Sequence, residues 1–198
     1  MNYTITEPRS YKRIPWKNGL GYTTEIKVAH AGDTDRFAWR LSIASVTEDG
    51  PFSDFSGYER CLTLINGNGI KLEYGNGTQD VLARRFDMAL FSGDWKTTGF
   101  LIDGPIEDFN VMTCRDTCLA KVEVLNGSGF YALNESCDEL LIYPLDEDIQ
   151  IDPGNSGNKI SLPVKHTFHA TGSDNISLTI EGNAIVTIRI MYQNNQSV

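Results

Sequence analysis

No stretch of this 198-residue chain is apolar for long enough to cross a bilayer, which takes about 20 such residues. Basic charge is scarce: 17 Lys and Arg stand against 26 Asp and Glu, a net charge of −9. Such a chain repels nucleic acid phosphates and anionic lipid, and no compact Lys/Arg stripe offsets the repulsion. Arg84-Arg85 is the only adjacent arginine pair and reads as a solvated surface pair. No nucleic acid and no membrane is therefore expected as a partner.

Chemistry-bearing motifs are equally scarce. The histidines are His30, His166 and His169, with no HxH or HExxH pattern. His166 and His169 are three apart, so on a strand they would face opposite sides. Cys61, Cys114, Cys118 and Cys137 match neither a zinc-ribbon spacing nor a redox CxxC, and read as free, packed thiols. No metal and no cofactor is expected. There is no GxSxG elbow and no cysteine in a basic setting, so no catalytic nucleophile is assigned. The N-terminus, Met1 to Glu7, lacks a basic region followed by an apolar run. A cytoplasmic location is the expectation.

Helical periodicity is also missing, and strand signals fill the chain instead. Leu62–Ile65, Gly69–Tyr74, Leu119–Leu125, Glu139–Tyr143, Ile176–Ile180 and Ala184–Ile190 are short, β-branched or aromatic, and several alternate apolar with polar. Turn signals separate them at Asn66–Gly69, Gly75–Gly77, Asn126-Gly127, Pro153–Asn155 and Glu181–Asn183. Regularly spaced short strands predict a sandwich or barrel. Residues 58–113 and residues 119–192 share a rhythm of strand, turn, strand and Gly loop, which makes a duplicated unit plausible. No linker of biased composition separates the halves.

Three clusters place polar groups inside strand-like segments: Trp16 to Ile26, Phe37 to Ser42 followed by Gly50-Pro51-Phe52-Ser53, and Gly104 to Thr113. Burying such groups costs energy unless they are paired or face a ligand, so the clusters predict a polar cavity. On a strand over 37–43, Phe37, Trp39, Leu41 and Ile43 share one face, taken as core, while Ala38, Arg40, Ser42 and Ala44 share the other. Arg40 offers a planar fork suited to a carboxylate; pairing with an internal acid is the equal alternative. On a strand over 108–114, Asp108, Asn110, Met112 and Cys114 share a face. Asp108 reads either as part of a ligand site or as a salt-bridge partner of Arg40 or Arg60. Lys17-Asn18-Gly19-Leu20-Gly21 reads as a tight turn into a strand carrying Glu25, and is not a phosphate loop. Gly50–Phe55 reads as a rigid loop whose aromatics could cap a barrel mouth, with Phe55 the better candidate for simple packing and Phe52 for the mouth.

These ordered motifs resemble the HutD/Ves family of bacterial proteins: Trp16-Lys17-Asn18-Gly19…Gly21-x-Thr23-x-Glu25-Ile26, Phe37-x-Trp39-Arg40-Leu41-Ser42, Gly50-Pro51-Phe52-Ser53-x-Phe55-x-Gly57-x-x-Arg60 and Gly104-Pro105-x-x-Asp108-Phe109-Asn110-Val111-Met112. The likeness is concentrated in residues 10–115. It implies an all-β bicupin, two antiparallel jelly-roll β-barrels in one chain. The expected organisation is a single bicupin unit over 1–198, with the first barrel at about 1–115, the second at 116–198, and strand exchange between them. Cupin sheets commonly pair at their edges, so a homodimer is compatible with the fold, though nothing in the sequence demands one. Leu20 stands where the family's turn usually carries the middle of three glycines.

The resemblance implies a role in histidine utilisation, through binding a small acidic metabolite such as formylglutamate or urocanate and limiting pathway expression; Ves members are described as stress-induced. The expected function is thus metal-free binding of a small carboxylate with a regulatory role. Trp16, Asn18, Glu25, Arg40, Ser42, Phe52, Arg60, Asp108 and Asn110 are the expected ligand-binding residues. Arg40 and Arg60 would anchor the carboxylate, and Trp16 and Phe52 would wall the site. The alternatives are a cupin-type enzyme, an isomerase or hydrolase with Glu25 or Asp108 as general base, and a structural or interaction protein with no cavity.

Overall fold

The computed structural model describes residues 2–16, 19, 21–32, 36–154, 158–172 and 175–193. Alternating and β-branched sequence folds as expected into an all-β protein. Among the described residues no helix is long and apolar enough to cross a membrane. The chain divides into two compact units, Tyr11–Cys118 and a second made of Met1–Ser10 with Leu119–Val198.

The N-terminal strand β1 (Asn2–Thr6) belongs to the second unit, where it pairs with the strand Thr167–Thr171. The first unit begins with β2 (Lys12–Pro15), β3 (Gly21–His30), β4 (Phe37–Val46) and the two-residue β5 (Gly50–Pro51). It continues through β6 (Tyr58–Asn66), β7 (Ile70–Tyr74), β8 (Gln79–Leu82), β9 (Met88–Ser92), β10 (Thr97–Leu101) and β11 (Ile106–Cys114). The second unit adds β12 (Cys118–Leu125), β13 (Gly129–Glu135), β14 (Glu139–Pro144), β15 (Ile149–Asp152), β16 (Ile160–Leu162), β17 (Thr167–Thr171), β18 (Ile176–Gly182) and β19 (Ile185–Tyr192).

In the first unit a six-stranded sheet, β2-β3-β4-β11-β6-β9, shares one apolar core with a four-stranded sheet, β5-β10-β7-β8. Val46, Leu62, Leu64 and Phe91 come from the larger sheet, and Ile70, Leu72 and Leu82 from the smaller. The sheets form a sandwich and are not closed into a continuous barrel. In the second unit β1-β17-β14-β19-β12 and β13-β18-β15-β16 enclose a core of Leu140, Ile142, Ile151, Phe168 and Ile180. The order β4-β11-β6-β9 recurs as β12-β19-β14-β17, and β5-β10-β7-β8 recurs as β13-β18-β15-β16. The rhythm read in the sequence is thus matched by the same strand order in each unit.

The turns divide into two kinds. Gly75–Gly77 joins the paired strands β7 and β8, and the turn after Asp152 joins β15 and β16. Asn66–Gly69, Asn126-Gly127 and Gly182-Asn183 instead carry the chain from one sheet of a unit to the other. Gly and Asn at these three permit sharp turns without dictating which strand the chain meets next.

Candidate ligand pocket

A cavity of about 500 Å³ opens within the first unit, lined mainly by β4, β11, the end of β2 and the loop after β5, with Arg60 of β6. Period-2 alternation puts Arg40, Ser42 and Ala44 of β4 on the same sheet face as Asp108, Asn110 and Met112 of β11. Register then builds rows across the sheet: Ala44 beside Asp108 and Leu64, Ser42 beside Asn110 and Leu62, Arg40 beside Met112 and Arg60. The face grades from apolar core to two arginines over these rows. The opposite face of β4 and β11 is buried too: Trp39, Leu41, Phe109 and Val111 are all inaccessible. The expected core face of β4 is therefore buried, while the inter-sheet core, with Ala44 and Val46, lies on the face that also carries Arg40. Phe37 departs from the simple alternation: its ring lies 4.2 Å from that of Tyr58 and 5.6 Å from the Arg40 guanidinium carbon. The β3–β4 pairing shifts register between Ala29 and His30, next to Phe37, and regular alternation ends there.

The two guanidiniums converge on one aromatic ring. The Arg40 and Arg60 guanidinium carbons lie 5.4 and 5.6 Å from the centre of the Phe55 ring. Phe91 and Phe52 flank Arg60 at 4.9 and 5.3 Å. Ring faces attract cations, and this partly offsets the loss of water. The offset is incomplete. Arg60 is 7% exposed. Burial lowers its pKa to about 10, opposed by Asp108 and reinforced by Arg40. Burial likewise lowers the pKa of Arg40, opposed by Glu25 and Tyr58. The Nε of each arginine is buried with no hydrogen-bond partner, and neither forms an ion pair among the described residues.

Asp108 is the carboxylate on this wall and has no exposed surface. Asn110 links it to Arg60: the Asn110 Nδ2 donates to Asp108 Oδ1, and the Arg60 Nη2 donates to Asn110 Oδ1 at 3.1 Å. Asp108 Oδ2 has no partner. Burial pushes the Asp108 carboxyl up to about 7, with Arg60 opposing and Glu107 adding to the rise.

Two loops complete the wall. Gly50-Pro51 pairs with Gly99 and Thr98 of β10, Phe52 N donates to Thr97 O at 2.8 Å, and Phe55 N donates to Gly93 O at 3.2 Å. Both aromatic residues are held by backbone bonds, as expected of a rigid loop. Trp16 N donates to Gly21 O, and the indole Nε1 donates to Thr23 Oγ1 at 2.8 Å. A Cβ on Gly21 would stand 2.2 Å from Ser45 O and 3.1 Å from the Trp16 ring, so that glycine is demanded by close approach.

Trp16, Arg40, Ser42, Phe52, Arg60, Asp108 and Asn110 are thus gathered on one cavity. Glu25 is not on its wall. It sits opposite Ser42 across β3 and β4 and acts on the site through its charge on Arg40. Asn18 lies outside the described residues, as do Lys17 and Leu20. Phe55 was the overlooked contributor: Gly-Pro-Phe-Ser-x-Phe signals a rigid aromatic loop, but sequence does not show that its second ring meets both arginines. Thr23 also lines the cavity. All four cysteines are free and buried, and no three His, Cys, Asp or Glu among the described residues cluster to hold a metal ion.

Fold and pocket together define a cupin-like, all-β protein with a polar site on the inner face of one sandwich. The chain belongs to the HutD family, which it matches over residues 8–188. It is 34% identical over 148 residues to the 21.2 kDa protein of the hutC 3' region of Pseudomonas putida, a match covering 74% of this chain and 76% of that one. It is 42% identical over 110 residues to protein Ves of Citrobacter koseri, covering 55% of this chain and 56% of that one. The structure of HutD from Pseudomonas fluorescens SBW25 (formate condition) superposes with a TM-score of 0.85 at 27% identity, over 98% of this chain and 100% of that one.

Proposed function

We propose that this protein binds a small carboxylate in the pocket of its first unit and acts as a regulator in histidine utilisation. One observation carries the reading: two arginines with buried, unpartnered Nε groups face a 500 Å³ cavity, and Asp108, the carboxylate on its wall, is hydrogen-bonded to Arg60 only through Asn110. A cationic pocket in a chain of net charge −9 is specific placement, not overall composition. Guanidinium forks match carboxylate geometry, and each charge-assisted hydrogen bond contributes about 1.5–3 kcal/mol. Two or three such bonds support micromolar binding after association costs. The aromatic wall of Trp16, Phe52 and Phe55 suits a flat or compact acid. Formylglutamate and urocanate are the candidates, in keeping with the HutD relatives.

The test is thermal unfolding with urocanate, formylglutamate, glutamate and formate, with Arg40→Ala in parallel. A ligand at about a hundred times its Kd adds about 2.7 kcal/mol, a shift of several degrees. A shift that vanishes in Arg40→Ala supports the reading; no shift with any acid sinks it. A second reading, an enzyme acting on such a metabolite, is favoured by the raised pKa of Asp108, which suits a general base. Conversion of any of these acids, followed by NMR, would favour it.

A further inference from the structure

Asp108 and a bound anion would compete for the same positive charge. Asp108 is the internal counter-charge of Arg60 and is hydrogen-bonded to it through Asn110. It is fully buried, and its Oδ2 receives no hydrogen bond. An anion seated on Arg60 and Arg40 would place a second negative charge in the same water-poor space. Two carboxylates sharing one site do not both stay ionised.

We propose that the pocket binds an anion together with a proton: the ligand takes over as counter-ion of Arg60 and Arg40, and Asp108 takes up the proton on Oδ2. This rests on the reading of the cavity as a carboxylate site and adds its regulation, because occupancy then falls as the pH rises. The proton comes from solvent and no other bond changes. Every charged group around Asp108 enters the balance. Arg60 on β6 holds it ionised, and Glu107 on β11 opposes ionisation. Arg40 on β4 weakens the cationic form of Arg60, and Tyr74 on β7 supports it. Glu25 on β3 and Tyr58 on β6 support the charge of Arg40. The burial that raises the Asp108 carboxyl to about 7 places the switch near neutrality. Asp108 acts as a positioning residue here, through Asn110 and Arg60, and contact with the ligand is not required.

The experiment is titration calorimetry with formate at pH 8, in two cationic buffers of different ionisation enthalpy. The wild type should take up close to one proton per formate, and Kd should rise up to tenfold per pH unit above neutrality. Asp108→Asn, which imitates the neutral carboxyl, should bind formate with no proton uptake and a flat pH profile. Wild-type binding without proton uptake overturns the inference, as does a wild-type pH slope in Asp108→Asn. If that variant does not fold, the wild-type proton count decides alone. Formate binding that requires Arg40 but takes up no proton sinks only this inference. Failure of the wild type to bind any of the four acids sinks the carboxylate reading and the inference together.

Discussion

Arg60 and Asp108 are joined through Asn110 rather than by a direct ion pair. The Asn110 amide accepts from one and donates to the other, so neither ion is fully neutralised and the guanidinium stays available to the cavity. Removing the relay should therefore be costly. Asn110→Ala is expected to destabilise the protein by about 2–4 kcal/mol in urea unfolding, because it strands two buried polar partners at once. A loss below about 1 kcal/mol would show that the relay carries little energy.

Arg40 makes no ion pair among the described residues, and burial disfavours its charge. Arg40→Ala should change stability by no more than about 1 kcal/mol. The same variant should lose the thermal shift given by small carboxylates. Stability and binding would then separate in a single variant, measured by unfolding with and without ligand.

Asp108 sets a pH dependence of the unliganded protein. Its folded pKa is about 7, above the ordinary 3.8, so the folded state holds a proton that the unfolded chain releases. The resulting stabilisation is fully present below 3.8 and is lost as the pH rises through about 7. The slope between these limits is at most about 1.4 kcal/mol per pH unit. Urea midpoints from pH 4 to 9 should fall in the wild type and flatten in Asp108→Asn; parallel curves would refute the assignment.

Gly21 admits the Ser45 carbonyl at a distance that no Cβ tolerates, with the Trp16 ring close beside it. Gly21→Ala should cost about 1–3 kcal/mol and move the Trp16 indole. Indole emission should shift on substitution, and carboxylate affinity should weaken with it. An unchanged spectrum and affinity would show that backbone adjustment absorbs the methyl group.

Much of this was readable because strands have a period of two. The parity of Arg40 and Ser42, and of Asp108, Asn110 and Met112, follows from counting residues, and the structure puts both sets on the cavity face. Local chemistry also located the Gly50–Phe55 loop. Pairing is different, because it depends on contacts far apart in sequence. Nothing near Asn2–Thr6 announces that β1 pairs with β17, where Thr4 meets His169, 165 residues onward. The position of Phe37 turns on a register shift, and the meeting of Phe55 with both arginines turns on a loop crossing from the smaller sheet. The separation of Arg60 from Asp108 by an intervening amide is likewise a three-residue geometry that no spacing rule encodes.

The second unit repeats the strand order of the first but treats a buried arginine differently. Arg189 on β19 is closed off by two carboxylates of its own chain, Glu123 at 2.6 Å and Glu135 at 2.7 Å. Its core cluster is packed with Leu, Ile and Phe. One copy of the architecture is thus self-sufficient, with its positive charge answered from within. In the other, Arg40 and Arg60 border a cavity and have no ion pair among the described residues. Two Glu side chains introduced opposite Arg40 and Arg60 would convert the receptive copy into the sealed one, and a carboxylate deleted from around Arg189 would begin the reverse exchange.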